Sequence, residues 1–288
     1  TIIGHQAGDA LVGGDDNTFI GQSAGGATTA GTSMTIVGRN AGTGVLDTDA
    51  VGTVLVGFGS GAALTSGIGN VAIGYQSLDA AATSDYNTAV GHQSLSAVNG
   101  NGAAGSTAVG YKAGLAITDA TYSTAIGYQA LLAEDQGDKT TAIGAAAFEF
   151  QNNGTGDTGN TGVGYAVGYR NVTGTNNTYI GYQAGFGTAG EGVNGNANSD
   201  NTAIGKDALL SITNSGNNVA IGTAAGDAVT SGGNHVLIGV GAGGNFDAET
   251  DNVFIGYGCG SGAINGADKC VAIGSSAFGG AATQDGTV

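Results

Sequence analysis

The feature that most constrains the fold is a short phrase that recurs along the whole chain. It reads STAIGYQALL at 123–132, NTAVGHQSL at 87–95, NTYIGYQAG at 177–185 and NTAIGKDAL at 201–209. Aligned on its Gly, the phrase has sixteen copies, and ten of the fifteen spacings between them are 17 residues. Such a period is typical of proteins whose units stack on one another. The aligned glycines are Gly4, Gly21, Gly38, Gly57, Gly74, Gly91, Gly110, Gly127, Gly144, Gly164, Gly181, Gly205, Gly222, Gly239, Gly256 and Gly274.

Each copy has the pattern of a short β-strand. The residue before the Gly is always Ile or Val, and the residue two positions earlier is always Thr or Val. These two positions share one face of a strand, and no window has the 3.6-residue period of a helix. We predict an all-β parallel β-solenoid of about sixteen 17-residue coils, with Ile73, Val90 and Val109 as neighbours in one column. A monomeric prism with three units per turn is the alternative.

The same pattern predicts which residues face inward. We expect the Ile/Val and Thr/Val columns to fill the interior, because identical branched side chains nest when they are stacked. The position between them is Ala in eight copies and larger in others, as in Phe19 and Tyr179, and we expect this opposite face to meet a second environment. Asn precedes the strand in eight copies, and stacked Asn amides can hydrogen-bond to one another. The third residue after the Gly is compact, which indicates a close neighbour.

We interpret residues 1–288 as a single repeat domain with one loop insertion near 186–200. Coils built from Ala, Val, Ile and Gly enclose little apolar area. The free energy gained by burying this area in a single chain is small compared with the loss of backbone entropy on folding. We therefore predict a homotrimeric fibre, in which one strand face of each chain lines the trimer axis. The chain begins inside a repeat and without Met, so we read it as a processed product or a segment of a longer protein.

Composition argues against several classes of protein. The 59 Gly and the absence of Pro do not fit collagen, because Gly does not occur at every third position, and the regular β-branched residues argue against disorder. A formal net charge of −16 repels nucleic acid and anionic lipid. The apolar runs are too short to cross a bilayer. Cys259 and Cys270 lack the spacing of a metal site, and we read them as small buried side chains whose pairing the sequence leaves open.

Two motifs carry a resemblance to known families. NVAIG at 70–74 and 218–222, and VAIGSSA at 271–277, resemble the head repeat of trimeric autotransporter adhesins, a left-handed parallel β-roll formed by three chains. The fuller phrases NTAIGYQAG and STAIGYQALL are similar to repeats of bacteriophage tail-fibre and related structural fibre proteins. The resemblance covers essentially the whole chain, and it implies a trimeric fibre without deciding between a viral and a cellular origin.

The sequence offers little for catalysis. His5 and His92 directly follow the repeat Gly, where Tyr, Gln, Arg, Lys and Ser also occur, so this position is better explained as a surface stripe than as a general base. We predict no enzymatic activity. The tyrosines of this stripe either pack at the rod surface or the chain seam, or stack against sugar rings. They are Tyr75, Tyr111, Tyr128, Tyr165, Tyr182 and Tyr257.

The sequence also bears on two further kinds of site, a calcium site and an ice-binding surface. Loop carboxylates at Asp15 and Asp16, at Asp47 and Asp49, and at Asp247, Glu249 and Asp251 offer hard oxygen ligands for calcium, but they lack known calcium-loop spacings. We favour solvated loop charge, and we expect no cofactor. Ice binding by a Thr column is disfavoured, because the column contains Val in six copies and is expected to face inward. Those copies have Val54, Val71, Val219, Val236, Val253 and Val271.

These observations lead to one functional expectation. The chain forms the shaft of an extracellular fibre, either a phage tail fibre or another virion appendage, which attaches to a host surface through many weak contacts. The alternatives are a bacterial trimeric surface adhesin head and an ice-binding solenoid. The expected partners are two further copies of the chain, a cell-surface glycan or protein receptor, and other fibre or virion proteins. Nucleic acid and membrane insertion are not expected.

Overall fold

A computed structural model describes residues 1–99, 103–188, 197–262 and 266–279. These residues contain strands, turns and bends but no helix, which confirms the all-β prediction. The strands are β1 (Ile2–Ile3), β2 (Thr18–Ile20), β3 (Thr35–Val37), β4 (Val54–Val56), β5 (Val71–Ile73), β6 (Thr88–Val90), β7 (Thr107–Val109), β8 (Thr124–Ile126), β9 (Gly137–Asp138), β10 (Thr141–Ile143), β11 (Gly156–Asp157), β12 (Thr161–Val163), β13 (Thr178–Ile180), β14 (Thr202–Ile204), β15 (Val219–Ile221), β16 (Val236–Ile238), β17 (Val253–Ile255) and β18 (Val271–Ile273).

The strands of the repeat form one 16-stranded parallel sheet in chain order, and β9 and β11 form a separate pair. Ile73 pairs with Val90, and Val90 pairs with Val109. The predicted column is therefore confirmed, and each 17-residue unit makes one turn of a β-solenoid. The alternative with three units per turn is wrong, because consecutive units are hydrogen-bonded neighbours.

The repeat Gly forms the corner that ends each strand. Gly91 has a φ of 140°, which L side chains rarely adopt, and a Cβ added there would lie 2.3 Å from the carbonyl oxygen of Gly110. Its N–H donates to the carbonyl of Ile73 in the preceding coil at 2.8 Å. The coils approach so closely at this corner that only Gly fits.

The predicted inward and outward faces are reversed in the structure. The middle residue of each fully stacked strand is buried, as in Phe19, Leu55 and Ala89, which are all 0% exposed. The flanking Thr/Val and Ile/Val residues are half-buried or exposed. Our expectation that these two columns fill the interior is therefore wrong, and so is the inward placement of Thr that argued against ice binding.

Two positions share the filling of the core. Where the middle strand residue is large, as in Leu55, the fourth residue after the repeat Gly is Gly, and a Cβ on Gly61 would lie 2.6 Å from a Leu55 methyl. Where the middle residue is Ala, as in Ala72, this later position is usually a large buried side chain such as Leu78. The Ala/large coils are Ala72/Leu78, Ala89/Leu95, Ala125/Leu131, Ala142/Phe148 and Ala203/Leu209.

The Asn column is confirmed as a hydrogen-bonded ladder inside the solenoid. Asn87 Oδ1 accepts from the backbone N–H of Ser106 at 3.0 Å, and its Nδ2 donates to the carbonyl of Ala103 at 3.0 Å. Amide groups also pair directly, because Asn218 Nδ2 donates to Asn201 Oδ1 at 2.9 Å. The ladder satisfies backbone groups that would otherwise be buried without partners. The compact side chains three residues after the Gly are also buried, as in Ala24 and Ser77.

Contacts group the chain into two compact units. The first contains residues 1–140 and 154–156, and the second contains residues 141–153 and 157–288. The single-domain interpretation stays a prediction. Of the insertion predicted near 186–200, residues 189–196 lie outside the described residues, whereas Ser199 forms a parallel bridge with Gly216.

Candidate functional site

The main candidate surface is the outer face of the sheet, which we call the TI face. It consists of the Thr/Val column and the Ile/Val column, three residues and one residue before each repeat Gly. No residue described in either unit covers the Ile column completely, and several of its members have nearly the same exposure, between 36% and 39%. The face therefore presents a regular apolar column beside a column of hydroxyl and methyl groups. These evenly exposed members are Ile20, Ile73, Ile126, Val163, Ile180 and Ile221.

An aromatic ladder borders the TI face in the first unit. Its rings follow the repeat Gly of successive coils and stack at centroid distances of 4.8 to 5.4 Å. The Arg39 guanidinium lies 5.6 Å from the centroid of the first ring, Phe58. Because each inner ring is covered on both faces by its neighbours, its edge faces outward. The ladder runs Phe58, Tyr75, His92, Tyr111 and Tyr128.

The remaining tyrosines of the predicted stripe lie in the second unit. Tyr165 and Tyr182 stack at 5.2 Å, and Lys206 Nζ lies 5.8 Å from the Tyr182 centroid. Tyr257 is 68% exposed. All six tyrosines of the stripe are exposed, but most of them contact one another rather than leave both ring faces open. Sugar stacking by this stripe is restricted accordingly, since it requires an uncovered ring face.

The three histidines lie in two different environments. His5 and His92 are exposed on the aromatic column. His235 replaces Asn in the internal ladder, is 1% exposed, and accepts a hydrogen bond at Nδ1 from the Asn252 N–H at 3.3 Å. Burial lowers the pKa of His235, and the carbonyl and charge of Glu249 only partly oppose this effect. His235 is therefore a neutral structural group that a substrate cannot reach.

Buried acidic and phenolic groups also have structural roles. Glu134 is 0% exposed, and its Oε1 accepts from the N–H groups of Asp135 and Gly137 at 3.1 and 2.7 Å. Tyr179 fills the core of its coil, and burial raises the pKa of its phenol above the ordinary range. These groups hold turns and fill space.

Two of the predicted loop carboxylates, Asp47 and Glu249, accept hydrogen bonds from backbone N–H groups. Asp47 Oδ1 accepts from the Asp49 N–H at 3.0 Å, and Glu249 accepts from the N–H groups of Asp247 and Gly266 at 2.9 and 3.0 Å. Burial raises the pKa of Glu249, but these hydrogen bonds outweigh burial and leave the pKa below its usual value. Within the described residues, no group of three or more His, Cys, Asp or Glu side chains could hold a metal ion.

The two cysteines are both buried. Cys259 Sγ donates to the carbonyl of Ala272 at 3.2 Å, and burial raises the pKa of its thiol. The structure therefore resolves the pairing that the sequence left open: no disulfide joins them.

Two exposed tyrosines outside the predicted stripe were missed by the sequence interpretation. Tyr86 and Tyr122 lie at the corner five residues before a repeat Gly, on the other border of the TI face, and are 63% and 66% exposed. Their position in the repeat could have revealed them, because the other coils have Gly, Asp, Asn, Lys or Ser at this position.

Comparison with known proteins adds no relative to this geometry. No protein-family model, no curated protein and no solved structure matches the chain. In the described part of the chain, no helix has the length and apolar character needed to span a membrane.

Proposed function

We propose that the chain is a structural fibre protein, the β-solenoid shaft of a homotrimer, in which the TI faces of three copies cover one another. The observation that carries this proposal is the Ile/Val column, which is left partly open to solvent at the same place in coil after coil. A regular apolar surface of this kind is typical of an interaction site. We expected the opposite face, which carries Ala and the larger apolar residues, to meet a second environment, but its residues fill the core. The proposal therefore assigns the TI face to the interface.

The energy of this contact accumulates over the repeats. Fully burying an Ile or Val side chain contributes about 1.5–3 kcal/mol. Covering the exposed third of each Ile therefore adds about 0.5–1 kcal/mol per coil. Several coils in each unit are needed before the sum exceeds the cost of association. The need for several coils explains why the same apolar position recurs along the chain.

Sedimentation equilibrium of the full chain tests the assembly. We expect a mass of three chains for the native sequence and of one chain after the double substitution Ile73→Lys and Ile126→Lys. The matched control is Gln76→Lys with Gln129→Lys, which adds the same charge at a corner where Lys112 already has the required φ of 54°. A native chain that sediments as a folded monomer would refute the trimer.

We further propose that the fibre acts outside the cell, on a virion or on a bacterial surface, and attaches to a host glycan or protein receptor. The strongly acidic composition and the similarity of NTAIGYQAG to fibre repeats support this setting. Antibody labelling of purified virions and of intact bacteria distinguishes a tail fibre from a surface adhesin. Labelling confined to the cell interior would contradict both.

Ice binding is the second candidate, because the Thr column lies on the outer face. Thr88, Thr107 and Thr124 follow one another in register on half-buried strand positions, which gives a short array of hydroxyl and methyl groups. Thermal hysteresis of the native chain tests this function. A measurable hysteresis that Thr107→Lys removes would favour it over the fibre, and its absence would exclude it.

A further inference from the structure

In the first unit, two coils have a Tyr at a corner where the other coils have other residue types. The residue five positions before the repeat Gly has a left-handed backbone throughout the unit, with φ values of 53° to 67°. Gly, Asp, Asn and Ser tolerate this conformation, whereas it is strained for a bulky aromatic residue. Tyr86 and Tyr122 nevertheless adopt it, with φ of 56° and 53°.

The two rings gain little from burial in return for this strain. Their exposures of 63% and 66% are among the largest of any apolar or aromatic side chain described. The left-handed conformation itself is common in this fold, since Lys139 adopts it in the same column with φ of 58° and Leu78 adopts it in the core with φ of 51°. The exposed ring is therefore the feature that folding explains poorly and that binding explains better.

The neighbouring coils leave space for both rings. Gly69 and Gly105 occupy the same corner one coil earlier, and a Cβ on either would lie 3.0 Å from Cδ1 of Tyr86 or Tyr122 respectively. Over these four coils, from Gly69 to Tyr122, the column therefore alternates Gly and Tyr. Hydrogen bonds from the Tyr86 N–H to the Ile68 carbonyl at 2.8 Å, and from the Tyr122 N–H to the Ala104 carbonyl at 3.0 Å, fix the two corners in register.

The spacing of the rings identifies a class of ligand. Parallel neighbours are about 4.8 Å apart, so residues two coils apart are separated by about 10 Å. This distance is comparable to the repeat of an extended β-1,4-linked disaccharide, in which every second sugar presents the same face. The C–H groups of that face pack against the negative face of an aromatic ring. Polar side chains precede both rings, Asp85 before Tyr86 and Thr121 before Tyr122.

We propose that Tyr86 and Tyr122 form a platform for an extended β-1,4-linked glycan. This glycan would be the receptor to which the proposed fibre attaches. The proposal rests on the proposed function for this biological setting, but not for the binding itself. Two rings contact alternate sugars, so a ligand must span at least three residues to reach both. The aromatic ladder beyond the other border of the TI face is less suitable, because its ring faces are covered by stacking.

Titration calorimetry of the full chain tests the platform. The probes are hexasaccharides of β-1,4-linked glucose and of β-1,4-linked N-acetylglucosamine, with the helical α-1,4-linked glucose hexamer for comparison. We expect at least one β-1,4 hexamer to bind and the α-1,4 hexamer to bind at least tenfold more weakly. Tyr86→Asn and Tyr122→Asn should each reduce the affinity about tenfold, which is the loss of one stacking contact.

The controls separate stacking from folding and from assembly. Asn fits the corner, since Asn176, Asn217 and Asn234 adopt it with φ of 59° to 62°. Tyr86→Phe keeps the ring and should keep most of the affinity, and Tyr257→Ala removes an equally exposed ring elsewhere and should change nothing. Failure of both β-1,4 hexamers to bind, or equal loss with Tyr257→Ala, would overturn the platform. Sedimentation of the same samples reports the trimer independently, so either proposal can fail alone.

Discussion

His235 shows how one substitution within a repeated column changes the chemistry of a coil. Neighbouring ladder positions are Asn218 and Asn252, whose amides donate as well as accept, whereas the buried imidazole has a lowered pKa and is neutral in the fold. In the unfolded chain it titrates near pH 6.5. The unfolded state therefore binds the additional proton, and the contribution of His235 to stability is complete above about pH 6.5 and decreases as the pH falls below that value.

We predict that His235→Asn removes part of the loss of stability between about pH 6.5 and 5, the window below the free imidazole pKa. Urea unfolding of the native chain and the variant at several pH values measures this difference. His92→Asn is the matched control, because His92 is exposed on the aromatic ladder. An identical pH profile for His235→Asn and the native chain would contradict the prediction.

At the scale of the strand, the sequence predicted the element and its register but not its orientation. Period-two alternation and the invariant Gly were sufficient to place Ile73, Val90 and Val109 in one column. They did not reveal which face is inside, because both faces of a three-residue strand carry apolar side chains. Ala72 is too small to indicate a core by itself, and its partner Leu78 lies in the following turn at a left-handed φ of 51°. Core filling by two separated positions is a tertiary property.

The candidate platform formed by Tyr86 and Tyr122 is also a tertiary property that the sequence does not reveal. The exposure of Tyr86 and the approach of Gly69 to its ring depend on two coils being stacked in register. A pattern search along one coil does not detect this relation. The Asn ladder was predictable because its partners are the same residue type one period away.

The shared core predicts that two changes within one coil compensate each other. Leu78→Gly should leave a cavity and cost about 2–4 kcal/mol of unfolding free energy, and Ala72→Leu should overpack the coil by about 1–3 kcal/mol. The double variant reproduces the arrangement of Leu55 and Gly61 in the preceding coil, so we expect a favourable coupling of about 1–3 kcal/mol. A double-mutant cycle measured by urea unfolding checks this value.

A control for this cycle combines Ala72→Leu with Leu95→Gly, which places the two changes in adjacent coils rather than in one. Compensation should then be smaller, since the cavity and the added side chain no longer coincide within a coil. Equal coupling in both pairs would show that the core is adaptable and that the pairing of positions has no structural importance.

For the whole molecule, charge and apolar surface act in opposite directions on association. Each chain carries 22 acidic and 6 basic side chains, a formal net charge of −16, so copies repel one another at low ionic strength. The proposed contact is made by Ile, Val and Thr side chains, whose burial does not depend on opposite charges. Salt shortens the range of the repulsion to about 8 Å at 0.15 M without weakening that contact.

We therefore predict that association strengthens with salt. Between about 20 mM and 0.5 M NaCl, over which the screening length falls severalfold, the trimer should become favoured at chain concentrations at least tenfold lower. Sedimentation equilibrium across this range measures the shift, and the double variant Ile73→Lys and Ile126→Lys should stay monomeric at every salt concentration although its charge is less negative. An interface held by ion pairs would respond in the opposite direction, since screening would dissociate it. If the trimer weakens with salt, the result would indicate that the charged loops, and not the TI face, form the contact between chains.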